Sequence, residues 1–102
     1  MSANDQPAYA VDFSRQVSRR ITAAMALAGV RSSVDLARRV GWKEDMLDRR
    51  LRERDPVPWR FTEVAVIATA LGWDPWALIG PEWAEDADGE LHWTGGRQRI
   101  AS

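Results

Sequence analysis

Apolar residues recur at intervals of three and four in several stretches of the chain, which is the spacing of one buried helical face. The first stretch runs from residue 12 or 14 to residue 28, with its stripe at Phe13, Val17, Ile21, Ala24, Met25 and Ala28. Gly29 follows at the position where a left-handed residue commonly ends a helix. The pattern therefore predicts a first helix that stops at this glycine.

Two shorter apolar stretches meet across a brief turn. Ser32 and Asp35 form a variant of the capping box that starts a helix, and Gly41 stands where that helix should stop. A second helix is predicted directly after it, over about residues 43–52, with Met46, Leu47 and Leu51 on its apolar face. Short helices joined by three or four residues are typical of a helix-turn-helix.

Two further helices complete the predicted fold. Prolines at 56 and 58 interrupt the chain, and the helical stripe resumes over residues 61–71 until Gly72. Asp74 and Pro75 then read as the N-cap and first residue of a last short helix, residues 75–79. We therefore predict an all-α fold, a compact five-helix bundle that contains a helix-turn-helix.

The chain divides into three predicted regions. Residues 1–11 are small and polar and indicate a flexible N-terminal arm, while residues 12–80 form the helical domain. Residues 81–102 are an acidic and then Gly/Arg-containing tail, with turn signals at Asp88-Gly89 and Gly95-Gly96. Residues 90–94 of this tail are predicted as either an isolated strand or a small hairpin.

Composition restricts the function. The 102 residues, 45% of them hydrophobic, suit one domain, and the absence of cysteine excludes disulfides and thiolate metal sites. No apolar run has the length of a membrane span and the N-terminus lacks a signal-peptide pattern, so we expect a cytosolic protein. The net charge of −1 argues against a generic nucleic-acid binder, yet residues 14–60 contain twelve basic and six acidic residues. Five acidic residues and no base lie in 81–90.

The patterns also predict burial. The expected core residues are Leu36, Trp42, Leu47, Leu51, Phe61, Ala68, Leu71, Trp73 and Trp76. Three more tryptophans, Trp59, Trp83 and Trp93, lie outside the strong stripes and suit either an interface or internal packing. On the polar face of the first helix, Arg15, Arg19 and possibly Arg20 suit either a solvated face or phosphate contacts.

The segment LARRVGW-x4-LDRRL, followed about ten residues later by FTEVAVIATALGWDPWALI, resembles the lambda-repressor/Cro-like (XRE-type) helix-turn-helix family, in its short actinobacterial or actinobacteriophage form. The resemblance covers residues 17–79. It implies a third helix that enters the major groove and a homodimer that reads paired half-sites one helical turn apart. The implied function is that of a phage repressor-like or Cro-like transcriptional regulator of double-stranded DNA in the cytoplasm of a bacterial host.

The resemblance also implies the DNA-binding residues. The positions that face base edges in the family are here Lys43, Glu44, Asp45, Asp48 and Arg49, and Ser33 stands at a phosphate-contacting position. We further expect Arg38 and Arg39 to contact the DNA backbone, and Arg52 and Arg54, which stand where the family often has glycine, to contact DNA as well. Arginine pairs with guanine and a carboxylate accepts from cytosine N4, so a G·C-rich site is conceivable. The carboxylates have a second interpretation, because Asp45 with Arg49 and Asp48 with Arg52 have the spacing of i,i+4 ion pairs.

Other functions stay open. A protein-binding module, such as an antirepressor or a host-factor inhibitor, would use the acidic helix face or the tryptophan-bearing tail. Three interpretations of that tail stay open: it exchanges across a dimer interface through Leu91, Trp93 and Ile100, it folds back onto the basic face, or it is disordered. His92 is the single histidine and has no cysteine or evident metal-ligand cluster beside it. We therefore expect no catalytic residue, no metal and no cofactor.

Overall fold

The structure is a computed structural model, and it describes residues 8–52 and 54–95, with side chains from Asp12 onward. The described chain is mostly helical and ends in a small antiparallel hairpin. In chain order its elements are α1 (Ala8–Leu27), α2 (Ser33–Val40), α3 (Glu44–Leu51), α4 (Phe61–Leu71), α5 (Pro75–Ile79), β1 (Trp83–Glu85) and β2 (Leu91–Trp93).

The predicted start and end of α2 and the predicted start of α5 are confirmed. Local capping groups define each of them. The Ser32 hydroxyl accepts from the Asp35 N–H at 3.2 Å, and Gly41 ends α2 at φ 74°. This left-handed backbone suits glycine, which has no Cβ to clash. The Asp74 side chain accepts from the Trp76 N–H and starts α5 as expected.

The start of α1 differs from the prediction. The helix begins at Ala8, so residues 8–11, assigned to the flexible arm, belong to α1. The alternation of apolar and polar faces begins only at Phe13, because residues 8–11 are all apolar and show no polar face. The rest of the predicted arm, residues 1–7, lies outside the described residues.

The core lies where the helices meet. Ile21, Leu36, Leu47, Ile67, Trp73 and Leu78 are completely buried, and Ala68 and Leu71 join them as predicted. Trp42 and Leu51 are only half-buried against this core. The prediction is wrong for Phe61 and Trp76, which are 50% and 67% exposed. The two side chains lie in solvent because α4 turns Val64 and Ile67 toward the core and α5 turns Leu78 toward it. Their rings pack on each other with centroids 5.1 Å apart.

The remaining tryptophans pack within the chain. Trp73 stacks on Trp83 with ring centroids 5.2 Å apart, and Trp93 meets Trp73 edge-on at 5.3 Å. Trp59 is buried beside α1. Of the two interpretations left open for Trp59, Trp83 and Trp93, the structure shows internal packing. In the part of the chain described, no helix combines the length and apolarity needed to cross a membrane.

The hairpin alternative for the tail is confirmed. β1 and β2 pair antiparallel with Trp83 opposite Trp93, and the turn contains Gly89 at φ 82°. The hairpin folds back on α1, where Arg19 Nη2 lies 2.7 Å from Glu85 Oε1. Leu91 and Trp93, assigned to a dimer arm in one alternative, are half-buried within the chain, and Ile100 lies outside the described residues.

The hairpin turn should loosen in acid. The hydrogen bond with His92, followed by that from the Glu90 N–H, lowers the pKa of Asp86. A carboxyl group with a lowered folded-state pKa stabilises the fold above its unfolded pKa of about 3.9 and loses that effect as pH falls through the folded value. We expect the tryptophan near-ultraviolet circular dichroism to change over this acid range.

Asp86→Asn is the matched control, because Asn keeps an oxygen for the Asp88 and Glu90 N–H groups but does not titrate. An acid transition of the same size in this variant would show that other carboxylates are responsible.

Candidate nucleic-acid interface

A three-residue turn, residues 41–43, joins α2 to α3. The N–H groups of Gly41 and Trp42 both donate to the Ala37 carbonyl, at 2.8 and 3.0 Å, and close the end of α2. Leu36 and Leu47 are then buried where the two helices pack. This arrangement leaves the opposite side of α3 exposed to solvent.

The exposed side of α3 carries the residues predicted to face bases. Lys43, Glu44, Asp45, Asp48 and Arg49 are all exposed. The predicted flanking residues Arg38, Arg39, Arg52 and Arg54 are exposed as well, and Ser33 is half-buried. All of the predicted DNA-contacting residues are therefore at least partly accessible to solvent. Among the flanking residues, Arg39 has a long ion-pair contact of 3.7 Å with Asp35.

One of the two predicted ion pairs forms. Arg49 Nη2 lies 3.0 Å from Asp45 Oδ2, and both side chains are more than half exposed. The predicted Asp48–Arg52 ion pair is wrong: the Arg52 N–H still donates to the Asp48 carbonyl at 3.1 Å, but the two side chains bind other groups. Arg52 Nε and Nη2 donate to the Asp55 carbonyl at 3.2 and 3.0 Å.

Asp48 has a different partner. Ser33 Oγ donates to Asp48 Oδ1 at 2.8 Å and links the start of α2 to α3. A serine hydroxyl has a single proton to donate, so in this arrangement it is not available for the predicted phosphate contact. Of the first-turn N–H groups of α2, that of Asp35 donates to the Ser32 hydroxyl, and those of Ser33 and Val34 have no partner within the helix.

Arg50 fastens α3 to α4, a role that the sequence analysis missed. Its Nε and Nη2 each lie 3.0 Å from one oxygen of Glu63, and the side chains are 13% and 11% exposed. Nη1 also donates to the Met46 carbonyl at 3.0 Å. Glu63 accepts from the Arg60 N–H at 2.9 Å as well. Glutamate three residues after a helix N-cap was the one available signal.

Ser18 is a second residue that the sequence analysis missed. It is 5% exposed, and its hydroxyl donates to the Arg50 carbonyl at 2.7 Å while accepting from Trp59 Nε1 at 2.8 Å. Val57 N–H donates to the Arg49 carbonyl at 2.9 Å. The C-terminal end of α3 is thus held by α1 and by the following loop, so the exposed face of α3 sits on a rigid support. No local pattern around Ser18 signals this contact.

Two arginines of α1 bind other parts of the chain. The sequence analysis had proposed only a solvated face or phosphate contacts for them. Arg19 binds Glu85 and also donates to the Gly89 carbonyl at 2.8 Å. Arg20 Nη1 donates to the Gly80 carbonyl at 2.8 Å, and burial lowers the pKa of this arginine. These two side chains hold the hairpin and the end of α5 against α1. Arg15 is exposed on the same helix.

The hairpin brings three ligand-type groups together around His92, a cluster that was not evident in the sequence. One oxygen or nitrogen from each of Asp86, Glu90 and His92 lies within 4.8 Å of the others. All three side chains are exposed, and His92 Nε2 lies 2.6 Å from Asp86 Oδ2. Asp86 Oδ1 accepts the N–H groups of Asp88 and Glu90, both at 2.9 Å. These hydrogen bonds stabilise the hairpin turn, and this role explains why the three side chains lie close together.

Comparison of the chain with protein-family models, curated proteins and solved structures gives no match. The family resemblance of the α2–α5 motifs therefore stays a prediction. A function for the exposed α3 face has to be argued from its own shape and charge.

Proposed function

We propose that the protein is a transcriptional regulator that binds double-stranded DNA with α3 in the major groove. The observation that carries the proposal is the exposed face of α3, supported from behind and bordered by arginines of α2 and of the following loop. An α-helix fits the major groove, where base edges present their full pattern of donors and acceptors. In a helix-turn-helix the first helix lies across the backbone, which suits Arg38 and Arg39.

The acidic residues of α3 are compatible with this proposal. The Asp45–Arg49 pair is solvent-exposed, and such pairs contribute only about 0–1 kcal/mol. Arg49 can therefore exchange Asp45 for a guanine edge at small cost. Asp48 already accepts a hydrogen bond from the Ser33 hydroxyl, and Glu44 can accept one from cytosine N4. We expect a G·C-containing recognition site.

We further propose a homodimer. One small module buries limited surface on DNA, and a dimer gains affinity by engaging two half-sites together. The exposed Phe61–Trp76 pair offers an apolar surface for the second copy, whereas Trp83 and Trp93 already pack inside the chain. A twofold contact through this pair would place the same aromatic surface on both sides.

Fluorescence anisotropy with random-sequence duplexes at several salt concentrations tests the proposal. We expect binding to fall with log salt at about −0.9 per phosphate contacted. Selection and sequencing of bound duplexes should then enrich a palindrome. Failure to bind at low salt would contradict the proposal and favour the protein-binding alternative.

Arg49→Ala should relax base preference at one position of each half-site, at a cost of about 1–3 kcal/mol for the preferred base. Competition with duplexes substituted at single positions measures this. Arg31→Ala is the control, because it removes an exposed arginine that is not among the predicted DNA-contacting residues and should leave the preference intact. Equal weakening on all sequences would make Arg49 a phosphate ligand instead.

The protein-binding module is the second candidate, and the exposed carboxylates of α3 favour it. Glu44, Asp45 and Asp48 would attract a basic surface of another protein, as an antirepressor or a host-factor inhibitor would require. The tail is less suited to this role than the sequence indicated, because its tryptophans pack against Trp73.

A further inference from the structure

The turn of the hairpin holds an imidazole and two carboxylates in one group. Asp86, Glu90 and His92 each place one ligand atom within 4.8 Å of the other two. We call these three residues the hairpin cluster. In a tetrahedral zinc site with bonds of about 2.1 Å, the ligand atoms are about 3.4 Å apart. Rotation of exposed side chains covers a difference of this size, so the cluster can share one ion.

The turn fixes the backbone of the hairpin cluster but uses only part of its ligand capacity. Asp86 Oδ1 accepts the N–H groups of Asp88 and Glu90, both at 2.9 Å. The Asp86 N–H in turn donates to the Glu90 carbonyl at 2.9 Å. Asp86 Oδ2 has no part in these backbone contacts and lies 2.6 Å from His92 Nε2. Because the ligands are already assembled, binding an ion costs less conformational entropy.

The Glu90 carboxylate supplies a second negative charge beside that of Asp86. The turn uses the backbone of Glu90, and its carboxylate has no hydrogen bond or ion pair to the described residues. The Arg19 guanidinium reaches the same turn but binds Glu85 and the Gly89 carbonyl. Neighbouring carboxylates repel each other, and a cation between them relieves that repulsion.

A cavity next to the hairpin cluster provides room for an ion and its water ligands. Its volume is about 710 Å³, and it lies between α1 and the hairpin. Glu90 and His92 line it on the hairpin side, and Thr22, Ala23 and Ala26 line it on the α1 side. A zinc site with three protein ligands keeps a water in its fourth position. The cavity can hold that water without displacing core side chains.

We propose that the hairpin cluster binds one divalent transition-metal ion of the zinc type through Asp86, Glu90 and His92. Imidazole nitrogen suits zinc, whereas Mg²⁺ and Ca²⁺ prefer oxygen ligands. His92 Nε2 binds the ion without a proton, so the neutral ring carries its proton on Nδ1. The ion replaces the hydrogen bond between His92 and Asp86 and joins the turn to β2. This site differs from the sequence-based expectation of no metal, and it does not depend on DNA binding.

Titration of Zn²⁺ into the full-length protein tests the proposal. His92 is the single histidine, so NMR signals of the imidazole report on this residue alone. We expect one saturable binding event that shifts the His92 ring signals, and no such shift with Mg²⁺ at the same concentration. Zn²⁺ should also raise the temperature of thermal unfolding, because the ion binds the folded hairpin. Unshifted His92 signals in excess Zn²⁺, or an equal response to Mg²⁺, would overturn the proposal.

Variants of single ligands locate the ion. His92→Gln and Glu90→Gln should each lower the Zn²⁺ affinity by at least about tenfold, a loss that even outer-shell partners of metal ligands cause. Asp88→Asn is the matched control, because it removes a carboxylate of the same turn and keeps the N–H that donates to Asp86. It should leave the affinity unchanged. Near-ultraviolet circular dichroism of the tryptophans verifies that each variant keeps the hairpin. Equal losses for Glu90→Gln and Asp88→Asn would show diffuse attraction to negative charge and reject a defined site.

Discussion

Replacing Trp73 by alanine should lower the free energy of unfolding by about 3–5 kcal/mol, the usual cost of truncating a core aromatic residue. Trp73 is completely buried and contacts the rings of Trp83 and Trp93. The change therefore removes core volume and the surface on which the hairpin rests. Domains of this size are stable by only about 5–15 kcal/mol, so the loss is a large fraction of the total. Urea unfolding followed by far-ultraviolet circular dichroism measures it.

Trp76→Ala is the matched control. Trp76 lies three residues later but is 67% exposed, and substitutions at such positions usually change stability by less than about 0.5 kcal/mol. Unfolding at two protein concentrations separates any contribution from dimerisation, which depends on concentration. Equal losses for the two variants would contradict the burial difference between them.

Glu63→Gln should destabilise the fold by about 3 kcal/mol, because it leaves the Arg50 charge unbalanced in a nearly buried site. The glutamine keeps an oxygen that can accept from the Arg60 N–H, so the loss reports the ion pair rather than the start of α4. Thermal and urea unfolding measure the change. Salt should have little effect on the native pair, since both side chains are shielded from solvent.

The double substitution Arg50→Met with Glu63→Leu tests whether the loss in Glu63→Gln comes from the unbalanced charge of Arg50. Replacing both partners of a buried ion pair by apolar residues is often neutral or stabilising. We expect the double variant to be more stable than Glu63→Gln alone. A double variant as unstable as the single one would contradict this interpretation, because removing the unbalanced Arg50 charge should restore stability.

The helix boundaries of α2, α4 and α5 were predictable from the sequence because they depend on near neighbours. A cap such as Ser32 acts on the N–H three residues later, and Gly41 and Gly72 adopt backbone angles that other residues avoid. The hairpin turn at Asp88-Gly89 has the same local origin. One boundary failed: α1 extends to Ala8 through four consecutive apolar residues, which show no contrast between a polar and an apolar face.

The candidate site was predictable in part. Exposure along α3 follows from helical period, and the Asp45–Arg49 pair follows from i,i+4 spacing. The predicted Asp48–Arg52 pair failed although the helical spacing holds, because Asp48 accepts from Ser33 of α2 and Arg52 donates to the Asp55 carbonyl of the following loop. Ser33 was expected to face a phosphate, but its nearest acceptor is a carboxylate fifteen residues away.

The sequence by itself determined the order of the elements, the ends of most helices and the stripe that each turns toward the core. Only the tertiary structure decided that Ser18 holds α3, that Arg50 pairs with Glu63, and that the acidic hairpin returns to Arg19 of α1. It also decided that Trp73 is enclosed while Trp76 stays in solvent. Caps and helical spacing act over a few residues, whereas these contacts join residues from different elements, so only the packing of the elements specifies them.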